Sequence, residues 1–139
     1  MENVDAFIEQ WTEDSLGTKS PFIALYKEIS NYDHACFEFH DRPGISYSLR
    51  GIHEAQNDRP LFVMIDVIDD DPTQRWLSVC FYGDMIEDPE ELGDLIPEGL
   101  LGADGYCFDI TEPDTKLQEY VSQRIQEAYT RAGNGRQEF

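Results

Sequence analysis

The sequence predicts an α+β two-layer sandwich, a mainly antiparallel sheet of about five strands covered by N- and C-terminal helices. Three observations predict it. The run Leu61-Phe62-Val63-Met64-Ile65-Asp66-Val67-Ile68 is rich in β-branched residues, lacks Gly and follows Pro60, as a buried strand does. The segment 75–82 answers it with period 2: Leu77, Val79 and Phe81 fall on one side, Trp76, Ser78, Cys80 and Tyr82 on the other. The connection Asp69-Asp70-Asp71-Pro72-Thr73-Gln74 suffices for a hairpin but not for a parallel crossover. No βαβ alternation occurs before Gly83, which argues against a doubly wound fold.

Taken in order, Val4, Phe7, Ile8 and Trp11 recur at helical spacing and predict an amphipathic helix over 3–13. Ser15-Leu16-Gly17-Thr18 ends it. Ser20-Pro21 opens a second helix, with Ser as N-cap and Pro first; Phe22, Leu25, Tyr26 and Ile29 form its apolar stripe, and it stops near Asn31. Residues 34–40 alternate, with Ala35, Phe37 and Phe39 opposite His34, Cys36, Glu38 and His40. A tight turn at 41–44 returns the chain as a second strand over 45–50, and 51–59 reads as a loop or short helical turn.

After Gly83 the chain becomes acidic. Asp88-Pro89-Glu90-Glu91-Leu92 reads as a short capped helix, cut off by Gly93, Pro97 and Gly99. Leu95, Ile96, Leu100 and Leu101 read as apolar anchors of the loop beyond it, and 106–110 as the fifth strand. Thr111-Glu112-Pro113-Asp114 has capping-box spacing before the clearest helix, whose stripe is Leu117, Tyr120, Val121, Ile125, Ala128 and Tyr129. Gly133-Asn134-Gly135 stops it, and 136–139 reads as a frayed tail. The order α-α-β-β-β-β-(α)-β-α makes 1–139 one α+β domain.

Charge sets the functional classes. The chain carries 29 Asp and Glu against 10 Lys and Arg, a formal net charge of -19. Phosphate binding needs Lys and Arg, so direct nucleic-acid binding and attachment to anionic membranes are disfavoured, while a basic protein partner fits. The longest apolar run is far short of the roughly 20 residues of a membrane helix. Three cysteines without C-x-x-C spacing, each in an expected strand, read as buried free thiols. With an acidic N-terminus lacking leader-like features, they suggest a reducing, cytoplasmic setting.

Two residue groups compete for function. His34, Cys36, Glu38 and His40, all ligand-type side chains, occupy one strand face at i, i+2, i+4 and i+6, without a recognised metal spacing; His34, Cys36 and His40 with His53 from a neighbouring segment form a candidate metal site or small-enzyme site. Residues two apart on a strand stand about 6.5–7 Å apart, which hinders sharing of one ion. The cluster Asp66, Asp69, Asp70, Asp71 lacks the register of a calcium loop and reads as a hairpin tip. The second group is the acidic segment of Asp84, Glu87, Asp88, Glu90, Glu91 and Asp94, interleaved with Met85, Ile86, Leu92, Leu95 and Ile96, a docking edge for a basic protein with the first five acids as its expected contacts. Nucleophile-elbow, Walker, dinucleotide and H-E-x-x-H patterns are absent, so neither an activity nor a cofactor is assigned. The reading that best fits is a non-catalytic acidic domain that binds or neutralises a basic protein. A metal protein or small enzyme, and a small-molecule binder with its pocket between sheet and helices, are the alternatives.

Overall fold

Alternation along each strand decides which face of the sheet is dry. In the computed structural model, which describes residues 1–134, α1 (Glu2–Gln10) and α2 (Lys19–Ser30) lead into β1 (Ala35–Arg42), β2 (Ser46–His53), β3 (Val63–Ile68) and β4 (Trp76–Tyr82). A 3-10 turn at Gly83–Met85 follows, then β5 (Asp94–Leu100), β6 (Ala103–Ile110) and α3 (Thr115–Asn134). The architecture is α+β: a six-stranded antiparallel open sheet in the order β1-β2-β3-β4-β6-β5, with the helices packed on one face.

Pairing register lines up Phe39, Leu49, Ile65, Val79 and Phe108 side by side across the sheet, and all but Phe39 are fully buried. Against this face α1 sets Val4 and Phe7, α2 sets Phe22, Leu25 and Ile29, and α3 sets Val121, Ile125 and Ala128. Each of these side chains larger than Ala128 contributes about 1.5–3 kcal/mol by leaving water, so this interface dominates the folding energy. The matching row on the opposite face is polar: His40, Ser48, Asp66, Ser78 and Asp109. Burial there pushes the Asp66 carboxyl above its ordinary range, against the Ser48 hydroxyl and the Arg50 and Arg42 charges.

One buried ion pair fastens the α1 end of the helical layer to the sheet. Arg75 Nε donates to Asp69 Oδ1 at 2.7 Å, and both side chains are nearly inaccessible. The guanidinium lies 5.2 Å from the Phe7 ring centre, 5.6 Å from Trp11 and 5.4 Å from Tyr47. Asp69 Oδ2 accepts the Gly44 N–H at 2.8 Å, and the Thr18 hydroxyl donates to the Arg75 carbonyl at 2.6 Å. The Asp-rich hairpin is thus structural: Asp69 holds this pair, and Asp71 accepts from the Thr73 N–H and hydroxyl.

The structure corrects several expectations. There are six strands, because 94–100 forms β5 rather than an anchored loop. Residues 88–92 make a turn, not a helix, with the Glu91 N–H donating to the Asp88 carbonyl at 2.9 Å. α1 ends at Gln10, and α2 begins at Lys19, with Thr18 at the cap position rather than Ser20. At α3 no box forms; Asp114 Oδ1 itself accepts the Leu117 N–H at 3.1 Å. Cys80 and Cys107 are not free thiols. They face each other across β4 and β6 with Cα atoms 4.1 Å apart and form a disulfide, leaving Cys36 as the free cysteine. Among the described residues no helix is long and apolar enough to cross a membrane. The expected tail at 136–139, and Gly135 of the helix stop, lie outside the described residues.

Asp69→Ala, which leaves Arg75 charged and buried, is expected to cost about 3–5 kcal/mol in equilibrium urea unfolding. Reduction of the disulfide, or Cys80→Ala with Cys107→Ala, reopens a loop of sequence separation 27. Loop-closure entropy puts that loss at about 3–4 kcal/mol, read as a lower unfolding midpoint under reducing conditions.

Candidate functional site

The acidic loop 84–93 is built around one carboxylate. Asp88 Oδ1 accepts the Leu92 N–H at 3.0 Å and the Tyr120 hydroxyl, and Oδ2 accepts the Gly93 N–H at 2.8 Å. The Tyr120 oxygen in turn accepts the Glu90 N–H at 3.1 Å. Burial pushes the Asp88 carboxyl up, but the hydrogen bonds from Tyr120, Gly93 and Leu92, with the Arg124 charge, hold it below its ordinary value. Gly93 presses on the Phe108 ring: a Cβ there would stand 2.8 Å from Phe108 Cζ. Glu91 is held at φ 54, the left-handed region that side chains avoid at a cost of about 1–2 kcal/mol. A carboxylate whose oxygens are engaged by its own loop is a poor recruit for a partner, so Asp88 shapes the surface more than it displays charge.

Asp84 and Glu87 are partly neutralised. Arg59 Nη2 lies 2.9 Å from Asp84 Oδ2, and Arg131 of α3 reaches the Asp84 carbonyl at 3.0 Å and Glu87 Oε1 at 3.5 Å. Glu90 and Glu91 have no cation partner among the described residues.

Beside this loop, the edge formed by β5 and β6 and the start of α3 enclose an open cleft of about 710 Å³. Glu90, Asp94, Asp109, Asp114 and Glu119 line it, over apolar ground supplied by Leu92, Phe108, Leu117 and Tyr120. Asp94 pairs in register with Cys107, two residues along β6 from Asp109, and burial followed by the Asp94 charge raises the Asp109 carboxyl. Lys116 shares the cleft but forms no ion pair there among the described residues. A cation with an aliphatic stem, a Lys or Arg side chain, would relieve this repulsion and cover the apolar ground. Of the cleft acids, the sequence places Glu90 and Asp94 in the acidic docking segment; it does not bring Asp109 to them, because an expected loop at 94–100 has no register to reveal their closeness.

The rival residues are not brought together. β1 turns Cys36, Glu38 and His40 to the polar face, whereas His53 pairs with Ala35 on the helix-covered face. His40 Nε2 meets Glu38 Oε1 at 2.9 Å. His34 precedes β1 at φ 62; its Nδ1 lies 3.4 Å from Glu54 Oε2, and its ring centre is 6.3 Å from that of His53. The Ala55 N–H donates to His53 Nδ1 at 3.0 Å, which places the proton of the neutral ring on Nε2. Burial and then the His34 charge lower the His53 pKa. Partial desolvation and then Glu54 raise the Cys36 thiol, the reverse of what a ligating or nucleophilic thiolate needs. Among the described residues no three His, Cys, Asp or Glu side chains are placed to hold a metal ion.

Comparison of the chain with protein-family models, with curated proteins and with solved structures returns no match.

Asp88→Ala should cost about 1–3 kcal/mol at neutral pH by stranding the loop amides. Because the folded-state pKa of Asp88 is depressed, its contribution is full above the unfolded value of about 4 and fades as pH falls through the lower folded value. The gap between the melting temperatures of the two proteins should therefore narrow as pH is lowered below about 4.

Proposed function

We propose that this chain is a non-catalytic domain that binds, and by binding neutralises, a basic protein on the side built by Asp84, Glu87, Asp88, Glu90, Glu91 and the adjoining cleft. The observation that carries the reading is the set Glu90, Asp94, Asp109 and Glu119: carboxylates around an apolar-floored cleft with no cation partner among the described residues. Like charges held together raise the energy of the free domain, so a bound cation gains more here than at scattered acids. The net charge of -19 would speed the encounter, and Leu92, Phe108 and Leu117 would lengthen the residence. Within the five residues first singled out, Asp88 acts as the scaffold and Glu90 and Glu91 as the free charges.

A small-molecule reading has its own site. An open cleft of about 630 Å³ between the β1–β2 end of the sheet and α3 is lined by His34, His53, Glu54 and Tyr129. It offers hydrogen-bonding groups beside aromatic surface, as ligand pockets do. The cytoplasmic setting expected from the cysteines has the Cys80–Cys107 bond against it, since cytosolic reductants keep thiols apart. Binding of a basic protein does not depend on the compartment.

Affinity capture with the purified domain, at low and moderate salt, tests the main reading. A basic protein should be retained at low salt and released as salt rises. Glu90→Gln, Asp94→Asn, Asp109→Asn and Glu119→Gln together should lower its affinity at least about tenfold while the melting temperature holds or rises. Retention of no basic protein at low salt would overturn the reading.

A further inference from the structure

We infer that the free edge of β1 is a self-association surface, on which a second copy of this chain adds its own β1 antiparallel about a twofold axis. The two edges of the sheet are built differently. β5 is blunted: it contains Pro97, Glu98 at φ 56 and a register shift between Ile96 and Leu100. β1 has no such guard. Its eight residues pair with β2 in unbroken register, and no Pro interrupts them.

Hydrogen-bond phase shows what that edge offers. The Glu54 N–H donates to the His34 carbonyl at 2.9 Å, so the even-numbered residues of β1 bond to β2. The amides and carbonyls of Ala35, Phe37, Phe39 and Asp41 therefore point away from the sheet, and they find no partner among the described residues. Phe37 and Phe39 stand half-buried along this edge. A long, unguarded edge beside aromatic surface is the kind that pairs with another chain.

Charge chooses the occupant and the register. A second copy is as acidic as the first, so it can approach only where acids and bases balance. Over residues 34–53, the two strands of this edge, Glu38 and Asp41 are offset by Arg42 and Arg50 without counting the histidines. With Phe39 on the twofold axis, Glu38 falls opposite the partner's His40, and Cys36 opposite the partner's Arg42. Sliding the register so that Phe37 meets the partner's Phe39 sets Glu38 against the partner's Glu38, a like-charge pair that is destabilising. Raising salt screens the overall repulsion between copies, so self-association should strengthen with salt, opposite to capture of a basic protein.

Sedimentation equilibrium of the whole chain over a concentration series tests this, alone and with two variants. Asp41→Pro removes an outward N–H without breaking a β1–β2 bond, from an exposed position in extended backbone. Wild type should shift from monomer to dimer mass with rising concentration, and more so at higher salt; Asp41→Pro should remain monomeric with an unchanged melting temperature. Glu38→Lys should weaken the dimer, and adding His40→Glu should restore it, which the slid register does not predict. A wild type that stays monomeric at every concentration and salt overturns the proposal. So does a dimer that survives both Asp41→Pro and Glu38→Lys. Protection of the Phe37 and Phe39 amides from exchange only when a basic protein is added would show that the edge receives a foreign strand instead, and would overturn it too.

Discussion

The contact between Arg75 and Asp69 ties two turns, the sheet and the first two helices together. A guanidinium and a carboxylate removed from water carry a desolvation cost of several kcal/mol each, and their attraction offsets it only when every remaining polar group is satisfied. Here satisfaction comes from four directions. Gly44 in the β1–β2 turn supplies a donor to Asp69, and Thr18 before α2 bonds the Arg75 backbone. Phe7 and Trp11 of α1 and Tyr47 of β2 enclose the cation. Two turns, the entry to the second helix and the inner face of the first must therefore be in place together. The pair is less a source of net stability than a fastener that admits one arrangement of helices over sheet.

At the far end of the sheet the same economy of polar groups works in reverse. Asp88 is engaged by its own loop and by Tyr120 of α3, while the neighbouring Glu90 and Glu91 have no cation partner among the described residues. The result is a division of labour within one acidic segment: one carboxylate sets the backbone, Asp84 and Glu87 lean on Arg59 and Arg131, and Glu90 joins Asp94, Asp109 and Glu119 around the cleft. Composition alone describes these side chains as equivalent charges. Their surroundings make them different.

The strands from β1 to β4 were legible because each buries one face, so alternation writes itself into the sequence: Leu77, Val79 and Phe81 inward, Ser78 and Cys80 outward. β5 was not legible, since an edge strand with nearly every side chain exposed has no such pattern to keep, and Pro97 with Gly99 imitates a loop. The disulfide was hidden for a related reason. Cys80 and Cys107 become neighbours only because β6 passes β5 to lie against β4, and spacing carries no trace of that exchange. The histidines failed as a group because strand parity joined His34, Cys36 and His40 on paper. In the fold, His34 leaves the strand at φ 62 and His53 takes the opposite face. The acidic segment was readable as a surface; which of its members were free was not, because that depended on Tyr120, more than twenty-five residues away in the chain.

The bond between β4 and β6 encloses everything from Phe81 to Tyr106: the 3-10 turn, the acidic loop and the whole of β5. These elements form a covalent ring hung from the interior of the sheet. Should a protease cut the exposed stretch around Glu90 to Leu92, both new ends would stay tethered through sulfur, and the nicked molecule would keep its mass until reduced. The most charged and least sheltered part of the chain is thereby the part that a single break cannot shed.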